Sequence, residues 1–444
     1  MMMNRRTILG TGAGIAAIAA LPISAVSATD FGIKPNLPRD QSNKLQAAID
    51  AATKSGVELH LPGGIYIARK LKIAAGVAIS GVPGLTRLVL GRPAEYLLAI
   101  EGAKNVTLRG IVFDGAKHRL GTDDGAAIVK ADSVDQLSIE HCQVQNGHAN
   151  GIALRQCSGK IIHSIVKKCR TGGIFSLDAK GFEIGHNTIE EIGDNGIMVW
   201  QSEKREDGSI VHHNRIKKIY GKSGGNGQYG NGVGVFRAAS VVVTGNRISD
   251  CEFSAVRNNA GDNIQITDNN CSRLNEVAIF VEFAFSGAIV SNNMIEKAGM
   301  GISITNFNEG GRLAVCSNNV VRDMLGARSN PDTQAIGIAV EADTVVSGNV
   351  IEKAKRAGLW LGWGKYLRNV TANGNIVRNC DIGIAVSAVK EAQSTLISNN
   401  MISGAVQAIA GMDHDNIITN DLSDPATKQL KSIQVTGNMV TPAG

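Results

Sequence analysis

The residues best equipped for chemistry in this chain fall at regular intervals. Arg155, Trp200, Phe236, Arg257 and Glu282 each lie just beyond a short apolar run, one or two repeats apart. A guanidinium grips a carboxylate through paired N–H donors, an aromatic face covers the apolar side of a sugar ring, and a carboxylate moves a proton. Set along one line, these groups suit a cleft for a long acidic sugar, with Arg155 and Arg257 on its carboxylates. A solvated surface with scattered charges is the alternative reading. Segments leading into that line add Asp123, Asp124, His148, Asp178 and Asp194, and the longest insertion, residues 220–231, adds Lys222, Tyr229 and several glycines. Asp194, Glu282 and Arg257 are the expected catalytic groups. Arg155, Trp200, Phe236, Tyr229 and His148 are the expected substrate contacts.

Histidine forms a second series. His141, His163, His186 and His213 occupy one position of four successive repeats, after which the position turns to Gly or Asn. Imidazoles one strand spacing apart can share a metal or hold an anion. They also fit a turn that tolerates histidine and stacks it for packing alone, and that is the expectation: less than one equivalent of transition metal, and no cofactor required by the sequence. The chain has no CxxC pair, P-loop, dinucleotide fingerprint or Ser/His/Asp elbow.

The elements that must position these residues are short and repetitive. An apolar-x-apolar strand leads into Asn, any residue, then Ile or Val, as in Ile184-Gly185-His186-Asn187-Thr188-Ile189 and Val243-Thr244-Gly245-Asn246-Arg247-Ile248. The pattern returns around Asn214, Asn270, Asn293, Asn319, Asn349, Asn375, Asn400 and Asn438, with Cys142 and Ser164 at the equivalent place earlier, and spacings run mostly 22 to 32 residues. That period is one turn of a solenoid. A second strand follows each Asn, as in Gly151-Ile152-Ala153-Leu154, Gly196-Ile197-Met198-Val199 and Gly337-Ile338-Ala339-Val340. Period-two alternation turns its Ile and Val inward. The expected outward column just after each inward Val runs Val129, Arg155, Leu177, Trp200, Phe236, Arg257, Glu282, Thr305, Glu341, Gly362 and Ser387. Five residues past the Asn position stand Cys169, Ile192, Ile219, Cys251 and Cys380, which read as a core column. Cys169 and Cys251 would then be about 14 Å apart over three coils, too far for a disulfide. The Asn column itself reads as a ladder of buried amides bonded to the rungs above and below.

Composition agrees. Of 444 residues 43% are hydrophobic but only 4% aromatic, and 52 glycines stand against nine prolines. Such a chain builds its core from aliphatic side chains and turns often. The expected fold class is all-β: a right-handed parallel β-helix of about a dozen coils, its first end covered by an amphipathic helix over residues 41–55, where Leu45, Ala48, Ile49 and Ala52 share a face.

Asn4-Arg5-Arg6-Thr7-Ile8-Leu9-Gly10, a Gly/Ala-rich stretch to Leu21 and Val26-Ser27-Ala28 resemble a twin-arginine (Tat) signal peptide with cleavage before Thr29. The resemblance implies the Tat translocon as a partner during export and a periplasmic or secreted location. The apolar stretch is too short to span a bilayer, so no membrane anchor is expected after cleavage. Loss of Arg5 and Arg6, in a segment without acids, takes the formal charge from +6 to +4. With no run of five Lys/Arg, nucleic acid is not an expected partner.

The helix "LQAAIDAA" running into "LHLPGGIYI" and "VAISGVPG", followed by the Asn and Gly-Ile repeats, resembles the pectin-lyase-like β-helix superfamily, and with the signal its Tat-translocated repetitive members. The organisation is then a signal peptide over 1–28, a capping helix and first coils over 29–100, and β-helix repeats over 101–444. The resemblance implies that substrate lies along the sheet of Gly-Ile strands. The superfamily's polygalacturonase-like series is present only in fragments, Thr122-Asp123-Asp124-Gly125, Gly147-His148-Ala149 and Arg215-Ile216-Lys217, and the nearest string to the epimerase-like Asp-Pro-His-Asp is Met412-Asp413-His414-Asp415. Neither chemistry is assigned on these. The expected function is a carbohydrate-active monomer acting on an acidic polysaccharide, with scarce carboxylate pairs favouring lyase or epimerase over hydrolase. The alternatives are a non-catalytic β-helix that binds envelope glycan or protein, and a metal carrier using the histidines.

Overall fold

A computed structural model describes residues 26–121, 123, 125–327, 333–427 and 430–441. Residues 1–25 of the expected signal peptide and the expected loop acid Asp124 lie outside them, whereas Val26–Ser27, near the end of the expected 1–28 segment, pairs with Leu59 and His60.

Each coil contributes strands to three sheets that run the length of the molecule. Sheet 1 has 16 strands from Val26–Ser27 to Ile433–Thr436, sheet 2 has 16 from Leu37–Asp40 to Met439–Thr441, and sheet 3 has 15 from Leu71–Ile73 to Asn416–Ile417. The Gly-Ile strands form sheet 3. The chain passes from sheet 3 to sheet 1, round the Asn bend to sheet 2, and back. Inward Ile, Val and Leu from all three sheets merge into one continuous core.

The solenoid has about 15 turns rather than a dozen. The difference lies at its start: strands at Leu59–Leu61, Gly64–Ala68 and Leu71–Ile73 already pair into the three sheets, but these coils lack the Asn by which repeats are counted. At roughly 4.8 Å per coil the helix is about 70 Å long. Over the first coils lies α1, Ser42–Ser55, burying Leu45, Ala48, Ile49 and Ala52. At the far end the chain doubles back so that Asn416–Ile417 pairs antiparallel with Gln407–Asp413. There the Asp421 carboxylate accepts the Ala408 and Ile409 N–H groups at 2.7 and 3.1 Å. That segment covers the last edge of sheet 3, where open strand groups would otherwise recruit another chain.

The ladder is unbroken from Asn187 through Asn214, Asn246, Asn269, Asn293, Asn319, Asn349, Asn375 and Asn400 to Asn438. Each Nδ2 donates to the next Oδ1 at 2.9–3.1 Å. The rung in the sixth repeat is Asn269 and not Asn270, which begins the following strand. Towards the first coils the Ser164 N–H donates to Asn187 Oδ1 and the Cys142 N–H to Ser164 Oγ, so these two residues continue the bend. All seven cysteines are buried and unpaired. Cys169 and Cys251 share the expected inward column, and burial pushes the Cys169 thiol up to about 12.

Asn293 donates to Ile266 O and Asn319 Oδ1, and its own Oδ1 accepts both the N–H and Nδ2 of Asn269. Asn293→Ala therefore strands buried partners on both sides and is expected to cost about 3 kcal/mol, read from the urea midpoint. Asn438→Ala, at the half-exposed end of the ladder, is expected to cost about 1 kcal/mol.

Candidate functional site

Pairing along sheet 3 fixes which outward side chains are neighbours. Arg155 pairs with Leu177, Leu177 with Trp200, Trp200 with Phe236, Phe236 with Asn259 and Asn259 with Glu282. Two expected members of that column stand elsewhere. Val129 pairs with Ile152 in the core, so the neighbour of Arg155 is Asp132. Arg257 pairs with Gly234 and Phe280, in the column two residues earlier along the strand. The cause is Asn258, which is fully buried and fills the inward position held by Val in other coils, its amide donating to Gly261 O at 2.9 Å.

The expected ionisable groups are largely committed to one another. Arg257 donates to both oxygens of Glu282, at 2.6 Å from Nε and 3.0 Å from Nη2, and its Nη1 reaches Glu276 at 3.4 Å. The Glu282 side chain is 3% exposed and that of Arg257 15%. A guanidinium held between two buried carboxylates is a structural clamp, and a substrate carboxylate would have to displace them. Arg155 pairs with Asp132 at 3.3 Å on the open surface. Asp178 is held by Ser202 and Arg205. Asp194 is buried, and its two oxygens accept the Ser223 N–H and Oγ–H, both at 2.8 Å.

That last contact ties down the insertion 220–231, which rises over sheet 3. Gly227, at φ +122°, lies so close to Arg257 that a Cβ there would fall 1.6 Å from Nη1, so only glycine lets the loop cross the clamp. Asn231 completes the anchor by donating its N–H to Asn195 Oδ1 at 2.9 Å. The loop's Gln228 wall divides the face into two adjoining clefts that share Trp200. One, of about 360 Å³, contains Phe236, Asn259 and Arg257.

The other cleft, of about 430 Å³, is where the remaining expected residues meet: His148, Asp194, Trp200 and Tyr229 line it together with Asp123. Phe175, Met198 and Trp200 form its floor, with Phe175 edge-on to Trp200 at 5.3 Å and Trp200 edge-on to Phe236 at 5.7 Å. Two arginines absent from the sequence-based set, Arg119 and Arg170, also line it. Both are exposed, and among the described residues neither has a carboxylate partner. Arg170 Nη1 lies 3.1 Å from His148 Nε2. The signal that finds Arg170 is the turn before each Gly-Ile strand: His148, Arg170 and Tyr229 each stand three residues ahead of the glycine at 151, 173 and 232, and Asp194 stands two ahead of Gly196.

Farther along the same face, five strands and so roughly 24 Å along the axis from Trp200, Glu341 stands beside Trp360 and Trp363 in a cleft of about 460 Å³. Its carboxylate accepts the Phe307 N–H at 2.6 Å, yet burial pushes it up to about 7. The histidines of the second series sit at the bend between sheets 1 and 2, with His141, His163, His186 and His213 stacked at 5.0–5.1 Å. Each has φ between +51° and +57°, a left-handed conformation that histidine accepts more readily than most residues.

Asp194→Ala is expected to free the insertion, seen as at least tenfold faster amide exchange over 221–230 with the rest of sheet 3 unchanged. For Glu341, a folded-state value raised from 4.5 to about 7 means its contribution to stability is complete below pH 4.5 and is lost as pH rises to 7. Between pH 4.5 and 8 the native chain should therefore lose up to about 3 kcal/mol relative to Glu341→Gln, measured by urea denaturation at the two pH values.

Comparison with known proteins places the fold. The chain is similar to the catalytic unit of a thermostable GH87 α-1,3-glucanase from Streptomyces thermodiastaticus strain HF3-3, with 16% identity over 97% of this chain and 71% of that one and a TM-score of 0.51. It is also similar to a mannuronic-acid-specific polysaccharide family 6 lyase enzyme from human gut microbiota, with 13% identity over 90% of this chain and 91% of that one and a TM-score of 0.53. At such identities the likeness is one of fold. No curated protein matches the chain. The family described as a right handed beta helix region matches residues 95–216, 124–320 and 206–366. Since those matches cover more than half of the chain, the protein belongs to the right-handed β-helix family.

Proposed function

We propose that this protein is a polysaccharide lyase acting on an acidic glycan laid along sheet 3. The observation that carries the reading is the convergence of His148, Arg170, Asp194 and Tyr229, from turns ahead of successive sheet-3 strands, with Arg119 around an aromatic floor. Arg119 and Arg170 are the guanidiniums available for a uronate carboxylate, whereas Arg257 and Arg155 already have carboxylate partners. Hydrolysis by paired acids is less well supported, because Asp194 and Glu282 both have their two oxygens occupied.

In the proposed reaction a uronate carboxylate binds Arg119 and Arg170, drawing the Arg170 guanidinium off His148 Nε2. Neutralising the carboxylate acidifies the adjacent C–H, and the freed Nε2 lone pair takes that proton. The C–O bond to the next sugar breaks, the double bond forms in the uronate ring, and the Tyr229 hydroxyl protonates the departing oxygen. Trp200 and Phe175 hold the sugar faces, and Asp194 positions the loop that carries Tyr229. We infer that residues 1–28 direct the folded chain through the Tat translocon and that it works as a periplasmic or secreted monomer, where such a substrate would be accessible.

The fold shared with a mannuronic-acid-specific lyase makes polymannuronate the first probe, with polygalacturonate second. A rise in absorbance near 235 nm, from unsaturated uronate ends, is expected with one of them. His148→Ala should lower kcat at least 100-fold, and Arg119→Ala should mainly raise KM. Reducing ends released without absorbance, or binding without any product, would contradict the lyase.

A further inference from the structure

The bend between sheets 1 and 2 is remote from the sheet-3 clefts and carries a cluster whose geometry goes beyond stacking. His212 is not in the turn series. It is the last residue of the strand Ile210–His212, and it pairs across to Gly185 of the preceding coil. Its ring folds over that glycine: a Cβ on Gly185 would lie 2.3 Å from His212 Nε2 and 2.5 Å from Cε1. Gly185 has no left-handed φ to explain it, so the missing side chain makes room for the imidazole.

So placed, His212 meets two members of the stack. Its ring is edge-on to His186 at 5.1 Å and to His213 at 5.3 Å. One nitrogen from each of His186, His212 and His213 can be chosen so that all lie within 4.8 Å of one another. The tautomer is set from outside: His212 Nε2 lies 3.0 Å from Glu183 Oε1, so in the neutral ring Nε2 carries the proton and donates it. The Nδ1 lone pair is left pointing to His213 Nδ1 at 3.1 Å. A carboxylate behind the distal nitrogen is how proteins orient a metal-binding imidazole. Tetrahedral zinc with nitrogen ligands at about 2.0–2.1 Å holds those nitrogens about 3.4 Å apart, close to the spacing already present between His212 and His213.

We propose that His186, His212 and His213 form a surface site for one zinc ion, with Glu183 as the residue that orients His212. The site lies at the bend and leaves the sheet-3 clefts untouched. It differs from the expectation of stacking alone, because the turn series in the sequence omits His212 and Glu183.

The test is calorimetric titration of the metal-free full chain with zinc chloride, with visible absorbance of the cobalt(II) form as a second readout. One saturable equivalent and a tetrahedral cobalt spectrum are expected. His212→Ala and His213→Ala should each weaken zinc at least tenfold, and Glu183→Gln about 10- to 100-fold. His141→Ala, at the far end of the stack, should leave affinity unchanged. Unchanged melting temperatures for these surface variants separate loss of the site from loss of the fold. Absence of saturable heat, wild-type affinity in both His212→Ala and Glu183→Gln, or an equal loss in His141→Ala would overturn the assignment.

Discussion

The structure depends on the satisfaction of buried polar atoms at one bend. A chain that turns inward-facing strands through a corner leaves backbone groups at the corner with no ladder partner, and each costs free energy if unpaired. Here one side chain per coil closes the account. Each asparagine gives its Nδ2 to a carbonyl of the preceding coil and to the next Oδ1, and that same Oδ1 takes a backbone N–H. Because donor and acceptor point along the axis in opposite senses, every rung fixes the register of the next. Sheet pairing, the aliphatic core and the position of every outward column follow from that register.

The residue just before each rung must adopt a left-handed conformation, and this limits what can decorate the bend. His186, Gly245, Asp268, Asn292 and Gly348 all meet the requirement, and their types are those that tolerate it. In four coils the position is histidine, and a packing constraint thereby lines up imidazoles at the strand spacing. Only where Gly185 opens space for His212 does the line become a cluster. On sheet 3 the analogous positions are the turns ahead of the Gly-Ile strands, where the backbone has already left the sheet and a side chain can lean over it. His148, Arg170 and Asp194 occupy such turns, which is why they share a cleft although they are separated in sequence.

Much of this was legible in the residues themselves. Asparagine spacing and Gly-Ile alternation define the fold class and the parallel sheets, whose number the structure sets at three, and the spacing of Leu45, Ala48, Ile49 and Ala52 defines α1. Errors arose where a coil departs from the repeat. The run Ala255-Val256-Arg257-Asn258 buries an amide where Val is usual, which shifts Arg257 by one column and into the grip of Glu282 and Glu276. Adjacent asparagines at 269 and 270 leave the rung ambiguous until the bonds are seen. Whether an arginine is free or already paired is a property of neighbours a coil away, so Arg155 and Arg257 looked available and Arg119 and Arg170 did not stand out. The coils before Cys142 carry no asparagine rung, so repeats alone undercount the solenoid.

The central functional claim is that two guanidiniums with no carboxylate partner among the described residues, over an aromatic floor, form the place where an acidic glycan binds. It is tested most directly by a crystal structure of the His148→Ala chain with a mannuronate or galacturonate oligosaccharide. The account predicts a uronate carboxylate within hydrogen-bonding distance of Arg119 and Arg170, with a neighbouring sugar stacked on Trp200. An oligosaccharide bound elsewhere on the solenoid, or one whose carboxylates face solvent while this cleft stays empty, would contradict it.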